Sequence, residues 1–384
     1  MRTQVAIVGG GPSGLLLSLL LRRAGIDSVV IERRTRDHVL SRIRAGLLER
    51  GTVAALERAG AADRLHREGI AHDGCVMVRG GVSLRIDFAA LTGHRMVIYG
   101  QTEVTRDLYD ARDALGLPTV FEACGVRIEG AEGRAPRVAW DGGAVDCDWV
   151  AGCDGFHGPS RRAIPPEVRQ EHEKVYPFGW LGLLSDVPPV HDELIYAGSE
   201  AGFALCSMRS AARSRYYVQC GADEDAGAWS DERFWDALRD RLPPEHAHAL
   251  VTGPSIEKSV APLRSFVCEP MRWGRIALVG DAAHIVPPTG AKGLNLAAGD
   301  VAYLAEALAA HYAGDPGAMD GYSARALARV WKAERFSWWM TMLTHRFPDA
   351  PSFDRRLQDA EFDHLATSPA MQEALAWNYV GLDL

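Results

Sequence analysis

The stretch CSMRSAARSRYYVQ, residues 206–219, sets three arginines, Arg209, Arg213 and Arg215, beside Ser207, Tyr216 and Tyr217. Guanidinium forks flanked by hydroxyls suit anion binding, because a planar fork takes a carboxylate through two parallel hydrogen bonds. Three readings are open: a solvated hairpin, a nucleic-acid patch, or a pocket for a small anion. The chain is acidic, with 42 Lys and Arg against 50 Asp and Glu, which argues against broad nucleic-acid binding. Strand alternation sorts the stretch by face: Phe203, Leu205, Ser207 and Arg209 share one side of a strand, and Arg215, Tyr217 and Gln219 one side of the next. With Ser210–Ser214 as the hairpin loop, Ser207 falls opposite Tyr217 and Arg209 opposite Arg215. Like charges across a ladder are unfavourable; they become reasonable if they splay or if an anion lies between or beside them. Arg213, of opposite parity, reads as a solvated loop residue.

A second set of residues points to a nucleotide. Gln4–Val8 is a short apolar run of strand type, followed by Gly9-x-Gly11-x-x-Gly14 with Ser13 inside the turn. A leucine-rich helix then runs to about Ala24, and a second strand, Ser28–Ile31, ends at Glu32. The glycines permit a tight turn and close approach of a pyrophosphate to a helix N-terminus, whose free N–H groups and dipole favour an anion. Glu32 stands where it can accept hydrogen bonds from an adenosine ribose. The pattern fits NAD and FAD alike. Its apolar run resembles a signal peptide, but GGGPSG interrupts it and no small-residue cleavage site follows, so export is the weaker reading.

Two later segments narrow the choice. Residues 147–161, CDWVAGCDGFHGPSR, read as a strand, then Asp154-Gly155 and a turn; residues 275–300 read as a strand ending at Gly280-Asp281, a proline-rich loop, glycines and a helix. An acid at a strand end beside a glycine turn suits a polyol such as a ribityl chain. Backbone amides around Gly290–Asn295, at a helix start, suit the pyrimidine edge of a flavin and its reduced anion. Either segment alone could be a surface turn after a buried strand. Together with the fingerprint, and in this order, they resemble the group A flavoprotein monooxygenases. RIRAGLLE (42–49), YGQTEVTRDL (99–108), AGCDGFHG (151–158), YPFGWLGLL (176–184), GDAAHIVPPTGAKGLNLAA (280–298), WKAERFSWWM (331–340) and NYVGL (378–382) carry the resemblance end to end, toward the members that act on 4-hydroxybenzoate.

That resemblance implies an α/β fold: a Rossmann-type FAD-binding domain (1–72, 97–175 and 265–310), an interleaved antiparallel-sheet substrate domain (73–96 and 176–264) and a C-terminal helical region (311–384). It implies hydroxylation of 4-hydroxybenzoate at the 3-position by NADPH (NADH being possible) and O2, through a flavin C4a-hydroperoxide. The FAD residues would be Gly9, Gly11, Ser13, Gly14, Glu32, Arg42, Arg44, Gln101, Asp154, Arg215, Asp281, Lys292, Gly293, Leu294 and Asn295. Ser207, Arg209 and Tyr217 would hold the substrate carboxylate. At the other end a phenolate donates electrons better than a phenol, and a tyrosine, with pKa ~10, can share and pass on its proton. The resemblance gives Tyr196 and Tyr379 this relay, His72 its outlet to solvent, and the Pro288 carbonyl a place facing the substrate hydroxyl. With one fingerprint only, NAD(P)H is expected in a surface groove, with Arg33, Arg34, His38, Arg42, Arg44, His157, Arg161 and Arg264 as candidates and a flavin that swings to meet it. Cationic side chains after Glu32 favour a 2′-phosphate.

The seven cysteines include no CxxC pair, which suits a reducing compartment and gives no zinc site or redox disulfide. No HExxH and no membrane-length apolar run appear, so no metal and no membrane partner are expected. The expectation is a cytoplasmic homodimer with a small aromatic carboxylate and O2 as its partners. Competing readings are the same chemistry on a related benzoate such as 4-aminobenzoate, a flavin oxidoreductase of another class, and a non-enzymatic flavin-binding module.

Overall fold

The computed structural model describes residues 1–41 and 46–381. Arg42 and Arg44 lie outside them. The chain is α/β. A six-stranded sheet runs in the order Arg272–Trp273, Ile276–Leu278, Trp149–Gly152, Val5–Val8, Ser28–Ile31, Thr119–Val120, parallel apart from the first strand. Val5–Val8 is buried throughout, as a parallel strand covered on both faces must be. The leucine-rich helix, Pro12–Arg23, begins with proline after Gly11, where the missing N–H costs nothing. Together these segments place the apolar N-terminal run in a strand, a turn and a helix.

An eight-stranded sheet forms the second layer, in the order His284–Ile285, Ser255–Glu269, Gln170–Ser185, Arg213–Gly221, Gly202–Ser210, Leu194–Ser199, Gly74–Arg79, Val82–Asp87. Neighbours are antiparallel except for Leu194–Ser199 beside Gly74–Arg79. The strands Gln170–Ser185 and Ser255–Glu269 run unbroken across the domain boundaries expected at 175/176 and 264/265.

Alternation gives this sheet two different faces. Tyr196, Phe203, Leu205, Phe178 and Trp180 pack with Phe336 and Met340 of the helix Tyr322–Thr344 and with Leu375 and Tyr379 of the helix Pro369–Val380. Ile195, Ala204, Cys206 and Tyr216 point the other way, onto Phe234, Trp235 and Leu238 of the helix Asp231–Arg239. The C-terminal helices thus roof the face that carries Ser207 and Tyr217. Among the described residues no helix is long and apolar enough to cross a membrane.

The hairpin at 206–219 differs from the sequence expectation. Its turn is the two residues between Ser210 and Arg213, and the register shifts between Met208 and Ser210. Ser207 therefore pairs with Arg215, and Leu205 with Tyr217. Arg209 is the extra residue of a β-bulge, which re-aims its side chain and removes the direct Arg209–Arg215 opposition. Arg213 begins a strand rather than lying in the loop, and is an exposed partner of Asp186 at 2.6 Å.

Candidate active site

Backbone shape builds the nucleotide end. Gly9 has φ +112°, and a Cβ there would come within 2.2 Å of the Cys153 carbonyl oxygen; one on Gly14 would lie 2.0 Å from the Gly9 oxygen. Around Gly11 and Gly293, by contrast, a Cβ would meet no atom within 4 Å. Both stand at helix starts, Pro12–Arg23 and Gly293–Tyr312. Free helix N–H groups facing open space fit a pyrophosphate and a flavin edge. Ser13 packs under Gly280, whose Cβ would lie 3.3 Å from its hydroxyl, so the fingerprint and the Gly280-Asp281 turn meet. Asp281 is exposed there, and Gln101 opens the helix Gln101–Ala114 half-buried. The residues fit FAD on this shape.

Glu32 is buried, accepting from the Gly10 N–H at 2.7 Å and the Arg34 N–H at 2.8 Å. Asp154 accepts from the Ser160 N–H at 2.8 Å while its Oδ1 is buried without a partner among the described residues, and burial pushes its carboxyl above the ordinary range. It is an acceptor turned inward beside a glycine turn, as a hydroxyl-binding acid would be.

Lys292 and Asn295 stand in a buried ionic cluster whose centre the sequence reading missed. Glu49 accepts from Lys292 Nζ at 2.7 Å and from Arg329 at 3.1 Å. Asn295 accepts from the Glu49 N–H at 2.9 Å and the Thr52 hydroxyl at 2.7 Å, and donates to the Leu47 and Ala291 carbonyls. Lys292 also donates to the Tyr379 carbonyl at 3.0 Å, tying the C-terminal helix to the flavin side. Burial holds the Lys292 amine below its ordinary pKa, and Glu49 offsets part of that. Leu294 lines a small apolar hollow with Pro12, Ser13 and Ala298.

On the roofed face of the large sheet, Tyr196, Leu205 and Tyr217 form one row across three strands. This sets Tyr196 and Tyr217 about 10 Å apart. The Tyr196 and Tyr379 hydroxyls are hydrogen-bonded to each other, both fully buried, with rings at 83°. Burial raises both hydroxyl pKa values. Phe88 stacks on Tyr379 at 4.7 Å.

Arg215 and Arg209 differ in kind. Arg215 is buried and ion-paired to Glu257, with Ser259 at 3.3 Å. Burial opposes its charge, but Tyr217 and Glu257 more than offset this. Arg209 has no carboxylate within ion-pair distance among the described residues. Its Nε is buried without a partner, and it donates to the Met208 carbonyl at 3.2 Å beside the Tyr217 hydroxyl. Burial lowers its pKa. The Ser207 hydroxyl donates to the Arg215 carbonyl at 2.9 Å.

Two proposed residues sit differently from the expectation. His72, taken as an outlet to solvent, is 1% exposed, and neither ring nitrogen is hydrogen-bonded among the described residues. It ends the strand Ile70–His72, paired with Met96, and that small sheet covers it. The Pro288 carbonyl accepts from the Ala291 N–H at 2.9 Å in a 3-10 turn, leaving one lone pair for a ligand. The nicotinamide candidates fall in two groups. Arg33, Arg34 and His38 are exposed after Glu32. Arg161 and Arg264 lie over Phe156 at 4.7 and 4.9 Å, with His157 against the same ring at 5.0 Å.

This arrangement of a glycine-turn nucleotide site and a roofed sheet pocket is that of a flavin hydroxylase. The FAD-binding-domain family matches residues 2–337. The chain belongs to that family, the group A flavin hydroxylases, and is an FAD-dependent aromatic monooxygenase. It is 54% identical over its full length to the p-hydroxybenzoate hydroxylase of Acinetobacter baylyi, covering 96% of that protein. It is 30% identical to a 3-(3-hydroxy-phenyl)propionate/3-hydroxycinnamic acid hydroxylase of Burkholderia vietnamiensis, over 94% of this chain and 67% of the other. The fold superposes on p-nitrophenol 4-monooxygenase of Pseudomonas putida with a TM-score of 0.83, covering 100% of both chains at 20% identity.

Proposed function

We propose that this protein hydroxylates 4-hydroxybenzoate at the 3-position to 3,4-dihydroxybenzoate, with FAD bound and NADPH and O2 consumed. The observation that carries the reading is Arg209: a guanidinium with, among the described residues, a buried unpartnered nitrogen and no carboxylate of its own, on the same sheet face as a buried tyrosine pair. A benzoate carboxylate supplies the missing anion, and the para hydroxyl then points along the face toward Tyr196. Tyr217 and Ser207 add hydroxyls at the acid end once Ser207 turns from its cross-strand bond. At the other end Tyr196 accepts the phenol proton and hands its own to Tyr379; the Pro288 carbonyl, an acceptor only, takes the phenol O–H when that bond is not made to Tyr196. The resulting phenolate ring is electron-rich. The flavin supplies electron transfer from the nicotinamide and activation of O2.

His157, Arg161 and Arg264, gathered on Phe156, support a nicotinamide groove, and Arg33, Arg34 and His38 a 2′-phosphate contact. The division into a flavin domain, a substrate sheet and a helical C-terminal region belongs to the same reading, as does a cytoplasmic homodimer. Trp331, Trp338, Phe353 and Leu357, exposed on the C-terminal helices, support a protein contact there.

The test is anaerobic flavin reduction by NADPH with and without 4-hydroxybenzoate, followed by product identification in air. Substrate-stimulated reduction and 3,4-dihydroxybenzoate are expected. Absence of both overturns the reading, and faster turnover of 4-aminobenzoate reassigns the substrate.

A further inference from the structure

His72 is a buried imidazole whose two nitrogens have no partner among the described residues, and its surroundings are acidic. Asp73 follows it and is ion-paired to exposed Arg95 at 2.8 Å. Asp192, Glu193 and His191 approach from the segment before the strand Leu194–Ser199. Glu193 stands out among them. The strand that follows it pairs Leu194 with Cys75, bringing its carboxylate alongside Gly74, where a Cβ would lie 3.3 Å from Oε1. Arg85 holds both Glu193 oxygens, at 2.9 and 2.7 Å, and itself bridges to Asp87 at 2.6 Å. Glu193 is only 11% exposed. With both oxygens held by one fork, its part is that of a fixed negative charge. Buried Cys75 packs in one core with Tyr196 and Tyr379 and pairs with Leu194, the residue after Glu193, so this charge lies close behind the proposed relay.

We propose that Glu193, fixed by Arg85, is a positioning residue for proton exit and acts through His72 by stabilising the imidazolium formed as a substrate proton leaves. This rests on the relay reading given above. The balance is simple: the phenol proton passes to Tyr196, one proton leaves Tyr379, one arrives on His72, and water takes it away. Burial depresses the proton affinity of His72; Glu193 is the strongest of the charges that oppose this, followed by Asp73 and Asp192, while His191 acts in the same sense as burial.

The experiment measures proton release after mixing 4-hydroxybenzoate with holoenzyme, across pH, using an indicator dye in stopped flow. Glu193→Gln is expected to slow release by about 3- to 10-fold and to move its acid limb about half to one pH unit lower. Glu193→Asp, keeping the charge, recovers most of the rate. In a His72→Asn background Glu193→Gln adds no further change. An unmoved limb in Glu193→Gln, or an equal slowing in the His72→Asn background, overturns the proposal while leaving the relay intact. If His72→Asn alone leaves release unchanged, the relay reading itself fails and the proposal with it.

Discussion

Two charged regions of this protein, one buried and one partly buried, are built in opposite ways. Around Glu49, both buried cations have a carboxylate partner: Lys292 and Arg329 share the one carboxylate, with Asn295 and Thr52 closing the network. Around Arg209 the neighbouring cation, Arg215, has taken the local carboxylate, Glu257, and among the described residues Arg209 is left with one backbone carbonyl and the Tyr217 hydroxyl. Desolvating a charge without a counter-charge is costly, and this cost at partly buried Arg209 supports its proposed role as a ligand contact. The Glu49 cluster meets its cations with a carboxylate from within the protein; the proposed function gives the Arg209 region a carboxylate from the ligand.

Changing the two regions should therefore separate stability from binding. The largest effect is expected at Glu49: Glu49→Leu strands two buried cations and should lose about 3–5 kcal/mol of stability, measured by urea unfolding of the holoenzyme. Arg209→Gln should leave the urea midpoint unchanged or raise it, while the Kd for 4-hydroxybenzoate rises by about 100-fold, the value of two charge-assisted hydrogen bonds; calorimetric titration measures it. Tyr196→Phe removes the proposed first proton acceptor. Substrate should still stimulate NADPH oxidation, but hydroxylated product per NADPH should fall by about tenfold or more, with peroxide taking its place.

The smallest effect concerns a third kind of buried group, one kept neutral. His345 stacks on Phe203 at 4.3 Å and accepts from the Trp180 indole at 2.6 Å, and burial lowers its pKa to about 3. Because the folded value is depressed, the unfolded chain binds the extra proton. This contribution is complete above the unfolded value near 6.5 and is lost as pH falls toward 3. His345→Gln, which keeps an acceptor for Trp180, should flatten the stability slope between about pH 6 and pH 4 by ~1 kcal/mol per unit. An unchanged slope would show that His345 is already protonated in the fold.

The legibility of these regions follows from chain distance. The nucleotide turn is local: Gly9 to Glu32 lies within one strand–helix–strand unit, and the strand Ser28–Ile31 stands where alternation and composition put it. The sheet faces were legible too, because the observed register differs from the expected one by two residues, which keeps Ser207 and Tyr217 on one side. The register was not, since a bulge at Arg209 changes which residues pair without changing the pattern of types. Glu49 escaped notice because its partners Lys292 and Arg329 are 243 and 280 residues away, and an isolated glutamate after GLL carries no periodic signal. The burial of His72 likewise depends on a strand partner, Met96, that its own segment does not reveal.

The central claim is that Arg209 is held without a counter-charge for the acid end of the substrate. Its most direct measurement is a binding cycle: 4-hydroxybenzoate and 4-hydroxybenzamide titrated into the wild-type holoenzyme and into Arg209→Gln. The account expects the wild type to prefer the acid by about 100-fold and the variant to bind both ligands with nearly equal, weak affinity. An acid preference that survives in Arg209→Gln would contradict it.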